Sequence, residues 1–287
     1  MVVDLTLVKE LRERTKLGLN ACREALIKAS NDIELAIDLL KKSGELKAAD
    51  VAGRIATEGK VIAFINGNKG VILEVNCQTD FVAKSDEFSS FVKEIALSLT
   101  SNEVKDFEDS RKSLVAKTGE NIVIRRQKLL EKSDNDILLS YVHQGDKIAV
   151  LLQLETLPTE EAIDFGDICA MQIAAMNPLA ISPEDIPSDV SLKQKEIFMA
   201  QIEEDEKLKA KPLQAKENIC LGKLNKWLKE VSLLEQECVI SESKETMTSI
   251  FKKSGVKSIK KFIRFELGEG LDKKQSNLKD EVDQLLK

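Results

Sequence analysis

Val61-Ile62-Ala63-Phe64-Ile65, then Asn66-Gly67-Asn68-Lys69-Gly70, then Val71-Ile72-Leu73-Glu74-Val75: residues 61–75 set two apolar, β-branched runs on either side of a cluster of turn residues. β-Branched side chains suit a pleated surface, and Asn-Gly readily adopts the left-handed backbone of a tight reversal. The stretch therefore predicts a β-hairpin. Directly after it, Asn76-Cys77-Gln78-Thr79-Asp80-Phe81-Val82-Ala83-Lys84 leads into Phe88, Phe91, Val92, Ile95 and Leu99, whose spacing is helical. Thr79 is placed to cap that helix and Asp80 to meet its positive end.

Working outward toward the C-terminus, a charged segment over 101–117 reads as helical and residues 122–126 as a strand. A second hairpin spans 138–154 and turns at Gln144-Gly145-Asp146. Phe165, Ile168, Cys169, Gln172, Ile173 and Met176 then share one helix face, and Asn177-Pro178 must end that helix because the residue before proline is driven out of the α region. Hairpin followed by helix thus occurs twice, which predicts an α+β core of two related halves. Between the halves' elements, residues 180–228 hold two charged helical stretches separated by Lys211-Pro212, the pattern of a projecting helical hairpin. A short helix over 246–251 and a strand over 259–267 complete the pattern.

Toward the N-terminus, the first 44 residues predict three short helices. Leu7, Val8 and Leu11 stripe the first, Leu19, Cys22, Leu26 and Ala29 the second, and Ile33, Ala36, Ile37 and Leu40 the third. Asn31 with Glu34 resembles a capping box, and Lys41-Lys42-Ser43-Gly44 resembles a helix end. Residues 45–58 read as a linker with some helical character.

Composition narrows the functional classes. Of 287 residues, 43% are apolar and 32% charged, so the chain can build real cores. A net charge of -6 argues against a protein whose main task is neutralising nucleic-acid phosphates. No apolar run approaches the roughly 18 residues that a membrane span needs. The acidic start Met1-Val2-Val3-Asp4 lacks the pattern of a leader, so a soluble cytoplasmic protein is expected. The five cysteines, Cys22, Cys77, Cys169, Cys220 and Cys238, are scattered without Cys-x-x-Cys spacing, suggesting neither disulfides nor a zinc site. His143 is the single histidine, which excludes multi-histidine metal sites and leaves one imidazole for acid–base work. No Gly-x-Ser-x-Gly elbow is present, and both Gly67-Asn68-Lys69-Gly70 and Gly268-Glu269-Gly270 read as turns rather than phosphate cradles. No catalytic residue, metal or cofactor is expected.

Several blocks resemble one family. Residues 70–84, from Gly70-Val71-Ile72-Leu73-Glu74-Val75 through Thr79-Asp80-Phe81-Val82-Ala83-Lys84, are similar to the signature of elongation factor Ts, the guanine-nucleotide exchange factor for elongation factor Tu. Residues 7–15 resemble that family's first helix, Gly119-Glu120-Asn121-Ile122 with Ile124-Arg125-Arg126 its central strand, and residues 262–270 its C-terminal strand and turn. The resemblance implies a ubiquitin-associated-like module with linker over 1–54 and a first core subdomain over 55–139. It further implies a second subdomain over 140–179 and 229–267, a helical hairpin insertion over 180–228 and a C-terminal module over 268–287. Both subdomains should carry antiparallel sheets. In some members the hairpin mediates dimerisation, so a homodimer through it is an open expectation.

The resemblance also implies roles. Asp80 and Phe81, with Val82 and Ala83 beside them, should intrude near the partner's switch region and disturb its magnesium site. Residue type alone would make Phe81 and Val82 core anchors of the helix entry; the resemblance reverses this for Phe81. Thr118 and Gly119 match a loop that touches the GTPase, with threonine standing where an aliphatic residue can occur. His143 matches a contact histidine, against the alternative of a strand-end histidine satisfied locally. Arg12 and Arg23 match basic positions of the N-terminal module, against a merely solvated helix face. Glu237-Cys238 replaces a proline–aromatic pair, which leaves contacts through Val239 and Ile240 open, and Asp50-Val51 replaces basic residues of the linker. The rival reading is an adaptor whose three-helix bundle binds another protein without affecting nucleotide exchange.

Overall fold

The computed structural model describes residues 4–101, 105–241 and 244–271. Its elements in chain order are α1 (Leu5–Thr15), α2 (Leu19–Lys28), α3 (Ile33–Lys42), α4 (Glu45–Val51), β1 (Glu58–Asn66), β2 (Lys69–Cys77), α5 (Asp80–Ala83), α6 (Asp86–Thr100) and α7 (Glu108–Thr118). They continue with β3 (Val123–Glu131), β4 (Asp136–Val142), β5 (Ile148–Glu155), α8 (Glu160–Met176), α9 (Ser188–Glu204), α10 (Leu213–Val231), α11 (Met247–Lys253) and β6 (Ser258–Glu266). Of the C-terminal module expected over 268–287, residues 272–287 lie outside the described residues. The chain divides into two compact units, one drawn from Met1–Ile62, Leu73–Gln127 and Phe265–Lys287, the other from Ala63–Ile72 and Lys128–Arg264.

In the first unit, α1, α2 and α3 close around Val8, Leu11, Cys22, Leu26, Ala36 and Leu40. Leu19, expected in the apolar stripe, is half exposed because it occupies the first helical position of α2, beside its Gly18 cap. The start of α3 also differs from the expected box: Asp32 caps it by accepting from Leu35 N, while Asn31 takes a left-handed backbone one residue earlier. Gly44 ends the bundle at φ 76°, and a Cβ there would lie 2.4 Å from the Lys112 carbonyl. Only glycine lets the chain turn left-handed this close to α7, against which the linker helix α4 packs.

The two sheets are small and antiparallel, ordered β1-β2-β3 and β4-β5-β6. Each is a hairpin followed by a helical segment, α5 to α7 in the first and α8 to α11 in the second, and a returning third strand that joins the hairpin's second strand. β2 is buried at every position after Lys69, which explains why Val71, Ile72 and Leu73 run on without polar alternation. Helix α6, capped by Ser85, buries Phe88, Phe91, Val92 and Ile95. In the second unit, β4 pairs with β5 in the register Tyr141↔Val150. Phe165, Cys169 and Ile173 of α8 pack in one cluster with Val150, Leu152 and Leu154 of β5. Asn177 ends α8 in a left-handed conformation before Pro178. α9 and α10 form the expected hairpin, with a thin seam of Ile202 and Cys220 and a Lys216–Glu203 ion pair of 2.8 Å.

The first unit also contains a buried charge. The Glu74 side chain of β2 is fully buried, and it accepts from Arg125 Nη1 at 2.9 and 3.0 Å, Arg126 Nε at 2.5 Å and Gly268 N at 2.8 Å. Burial pushes this carboxyl up, but the Gly268 amide and the two guanidinium groups outweigh it and hold it below the ordinary range. Arg126 also lies 4.1 Å from the Phe265 ring centroid. One carboxylate therefore ties β2, β3 and the turn after β6. Among the described residues, no helix is long and apolar enough to cross a membrane.

Candidate protein-docking site

Between Cys77, the last residue of β2, and Ser85, the cap of α6, the chain makes a single helical turn, α5. Thr79 sits in extended backbone and its hydroxyl accepts from Val82 N at 3.3 Å, which starts the turn. Ala83 is buried and seats the turn from within; Val82 is half-buried. Phe81 points out, 82% exposed. Beside it, Asp80 pairs with Lys84 at 2.6 Å, and this contact raises the lysine's affinity for its proton. An aromatic ring this exposed gains almost nothing for its own fold, so the surface offers a preformed apolar knob next to a carboxylate. The ring is not a core anchor.

The turn is held from behind by the loop after α7. Gly119 takes φ 74° and donates its N–H to Val115 O, reversing the chain. Thr118 directs its hydroxyl back to Leu114 O and is half-buried, as is Gly119. The Glu120 carboxylate then accepts from Gln78 N and Thr79 N, both at 3.0 Å, and from the Thr79 hydroxyl at 2.5 Å. Asn121 N donates to Gln78 Oε1, and Asn121 Nδ2 donates to the carbonyls of Ala52 and Arg54. Burial, and after it the Glu120 and Glu58 carboxylates, push the neighbouring Cys77 thiol up to about 12. Sequence reasoning missed Gln78, Glu120 and Asn121 as parts of this arrangement. β3 begins only at Val123, so Glu120 and Asn121 fall in the loop before it, and no spacing rule reveals a contact across 41 positions.

The remaining expected residues lie elsewhere. Arg12 and Arg23 are exposed on α1 and α2. In the second unit His143 is exposed at the end of β4, with its Nδ1 3.0 Å from the Tyr141 hydroxyl. Val239 is 46% exposed, and its N–H donates to the buried Gln172 at 2.8 Å, while Gln172 Nε2 donates to Gln236 and Glu237. Cys238 turns inward and is buried, leaving Val239 and Ile240 facing out. Asp80–Ala83 and Thr118–Gly119 are thus brought together in the first unit, whereas His143 and Val239 belong to the second. No group of three or more His, Cys, Asp or Glu side chains among the described residues could hold a metal ion.

Comparison with known proteins adds a second line. The family profile described as "Elongation factor TS" matches residues 78–269. The chain is 41% identical over 294 aligned positions to Elongation factor Ts of Psychrobacter sp. (strain PRwf-1), covering 98% of this chain and 96% of the relative. It is 41% identical over 292 positions to that of Teredinibacter turnerae, with the same coverage. Against that of Lacticaseibacillus casei it is 36% identical over 289 positions, covering 96% of this chain and 95% of the relative.

Proposed function

The chain belongs to the elongation factor Ts family, and from that premise we propose that it binds elongation factor Tu carrying GDP and promotes release of the nucleotide. Membership makes it a translation elongation factor, a nucleotide exchange factor rather than an enzyme. The observation that carries the finer reading is the 82% exposure of Phe81 on a turn capped by the Thr79 hydroxyl. A GTPase holds GDP through a loop around the phosphates and a magnesium ion bridging phosphate oxygens. A ring and a carboxylate entering beside that ion displace several charged contacts together, and no covalent step is needed.

In this reading Asp80, Phe81 and Val82 form the intruding surface, with Ala83 fixing the turn from inside. Thr118, Gly119, His143, Arg12, Arg23 and Val239 supply further contacts. The action is cytoplasmic, and it requires neither a cofactor nor nucleic acid. Two copies can pair through the α9–α10 hairpin, where Leu192 and Leu221 are exposed; sedimentation of the purified chain tests this.

Linkage supplies the test of exchange. If the chain weakens GDP binding to elongation factor Tu, GDP must weaken binding of the chain by the same factor. Calorimetric titrations of each ligand with and without the other should return equal ratios well above one. Tight binding of the chain with an unchanged GDP affinity would instead favour the adaptor.

A further inference from the structure

The Phe81 ring has almost no packing of its own to orient it, and α5 is one turn of four residues. Isolated turns of this length do not persist, because too few hydrogen bonds offset the fixed backbone. Its geometry must therefore be imposed from outside, and the contacts converge on Glu120. The carboxylate receives the two amide protons that precede the turn, from Gln78 and Thr79, together with the Thr79 hydroxyl proton. A hydroxyl has one proton to give. By taking it, Glu120 leaves the Thr79 oxygen with its lone pairs turned to the Val82 N–H, the bond that caps the turn. The chain Val82 N–H to Thr79 O–H to carboxylate is polarised in one direction, so each bond strengthens the next.

The carboxylate is in turn carried by a fixed frame. Gly119 reverses the backbone in the left-handed region, Glu120 N donates to Thr118 Oγ1, and Asn121 on the other side locks to Gln78 and to the Ala52 and Arg54 carbonyls. Glu120 does not itself need to touch a partner for this. Resting on the exchange reading above, we propose that Glu120 is a positioning residue for nucleotide exchange. It acts through Thr79 to hold Phe81 in its intruding orientation, and it governs the maximal rate of GDP release rather than the strength of docking.

Glu120→Ala, Glu120→Gln and Phe81→Ala, each in the full chain, test this in a stopped-flow assay of labelled-GDP release from elongation factor Tu. Maximal rate and half-saturating concentration are read separately. Losing hydrogen bonds to a charged group should lower the Glu120→Ala maximal rate about tenfold, with the half-saturating concentration within about twofold. Glutamine's oxygen can still accept from both amides, but its NH2 cannot take the Thr79 hydroxyl proton, so Glu120→Gln should recover only part of the rate. Amide exchange at Gln78, Thr79 and Val82 should quicken in Glu120→Ala, and at Gln78 and Thr79 it should return in Glu120→Gln. A wild-type maximal rate in Glu120→Ala, beside a slowed Phe81→Ala, overturns the positioning role and leaves the exchange reading intact. Wild-type rates in both overturn the exchange reading and this inference with it. Should Glu120→Ala fail to fold, Glu120→Gln decides: a lowered maximal rate at unchanged half-saturation supports the role, and a full rate refutes it.

Discussion

Replacing Glu74 by glutamine keeps the side chain's size and removes its charge, which isolates the buried ion cluster. In the protein the carboxylate is fully buried, whereas Arg125 and Arg126 keep 21% and 28% of their side-chain surface exposed. Breaking a buried pair costs about 3–5 kcal/mol when the surviving charge is sealed in. Here both guanidinium groups can regain some water, so the lower part of that range applies, about 3 kcal/mol. The amide's NH2 also faces donors, and the Gly268 N–H and the guanidinium N–H groups must compete for one oxygen. At about 2–4 °C per kcal/mol for a chain of this size, the midpoint should fall by about 6–12 °C at neutral pH. The pH dependence has a definite sign. Because the folded-state carboxyl lies below its ordinary value, its stabilisation is complete above that ordinary value and is lost as pH falls through the lowered one. Thermal unfolding followed by circular dichroism should therefore show the gap between wild type and Glu74→Gln narrowing in acid. A variant that melts within about 1 °C of wild type at neutral pH, or a gap that widens on acidification, would refute this account of the cluster.

At Gly44, alanine would meet both a left-handed backbone and the Lys112 carbonyl, so Gly44→Ala should lower stability by about 1–3 kcal/mol in urea titrations, whereas Gly222→Ala, exposed inside α10 with open space around it, should not. All five cysteines are free and buried, and burial pushes the Cys77 and Cys169 thiols up to about 12. Ellman's reagent at mildly alkaline pH should consequently react slowly with the native chain and with five thiols after unfolding in guanidinium. A thiol titrating within seconds in the native state would contradict that placement.

Much of this architecture was legible because its signals are local. The turn residues 66–70, the helical spacing after Phe88, the Asn177-Pro178 stop and the Lys211-Pro212 break each act through backbone geometry within a few positions. Placement of the α3 cap went astray by one residue, since Asn31 and Asp32 are both competent caps and only the left-handed turn at Asn31 selects between them. Phe81 shows a sharper limit. Its residue type favours the core, and its exposure is intelligible only once Ala83 is seen to seat the turn instead. The support beneath it was not legible at all: Glu120 reaches Thr79 across 41 positions, and Glu74 reaches Gly268 across 194. Such contacts depend on how distant segments are folded together, which no periodicity encodes.

Phe81→Ala probes the central claim most directly. With 82% of its surface exposed, the ring's loss should change the chain's own stability by less than about 0.5 kcal/mol. Burying that ring against a partner is worth about 1.5–3 kcal/mol, so the variant should accelerate GDP release from elongation factor Tu about 10- to 150-fold less effectively than wild type, with an unchanged melting midpoint. Equal acceleration by the two proteins would contradict the account.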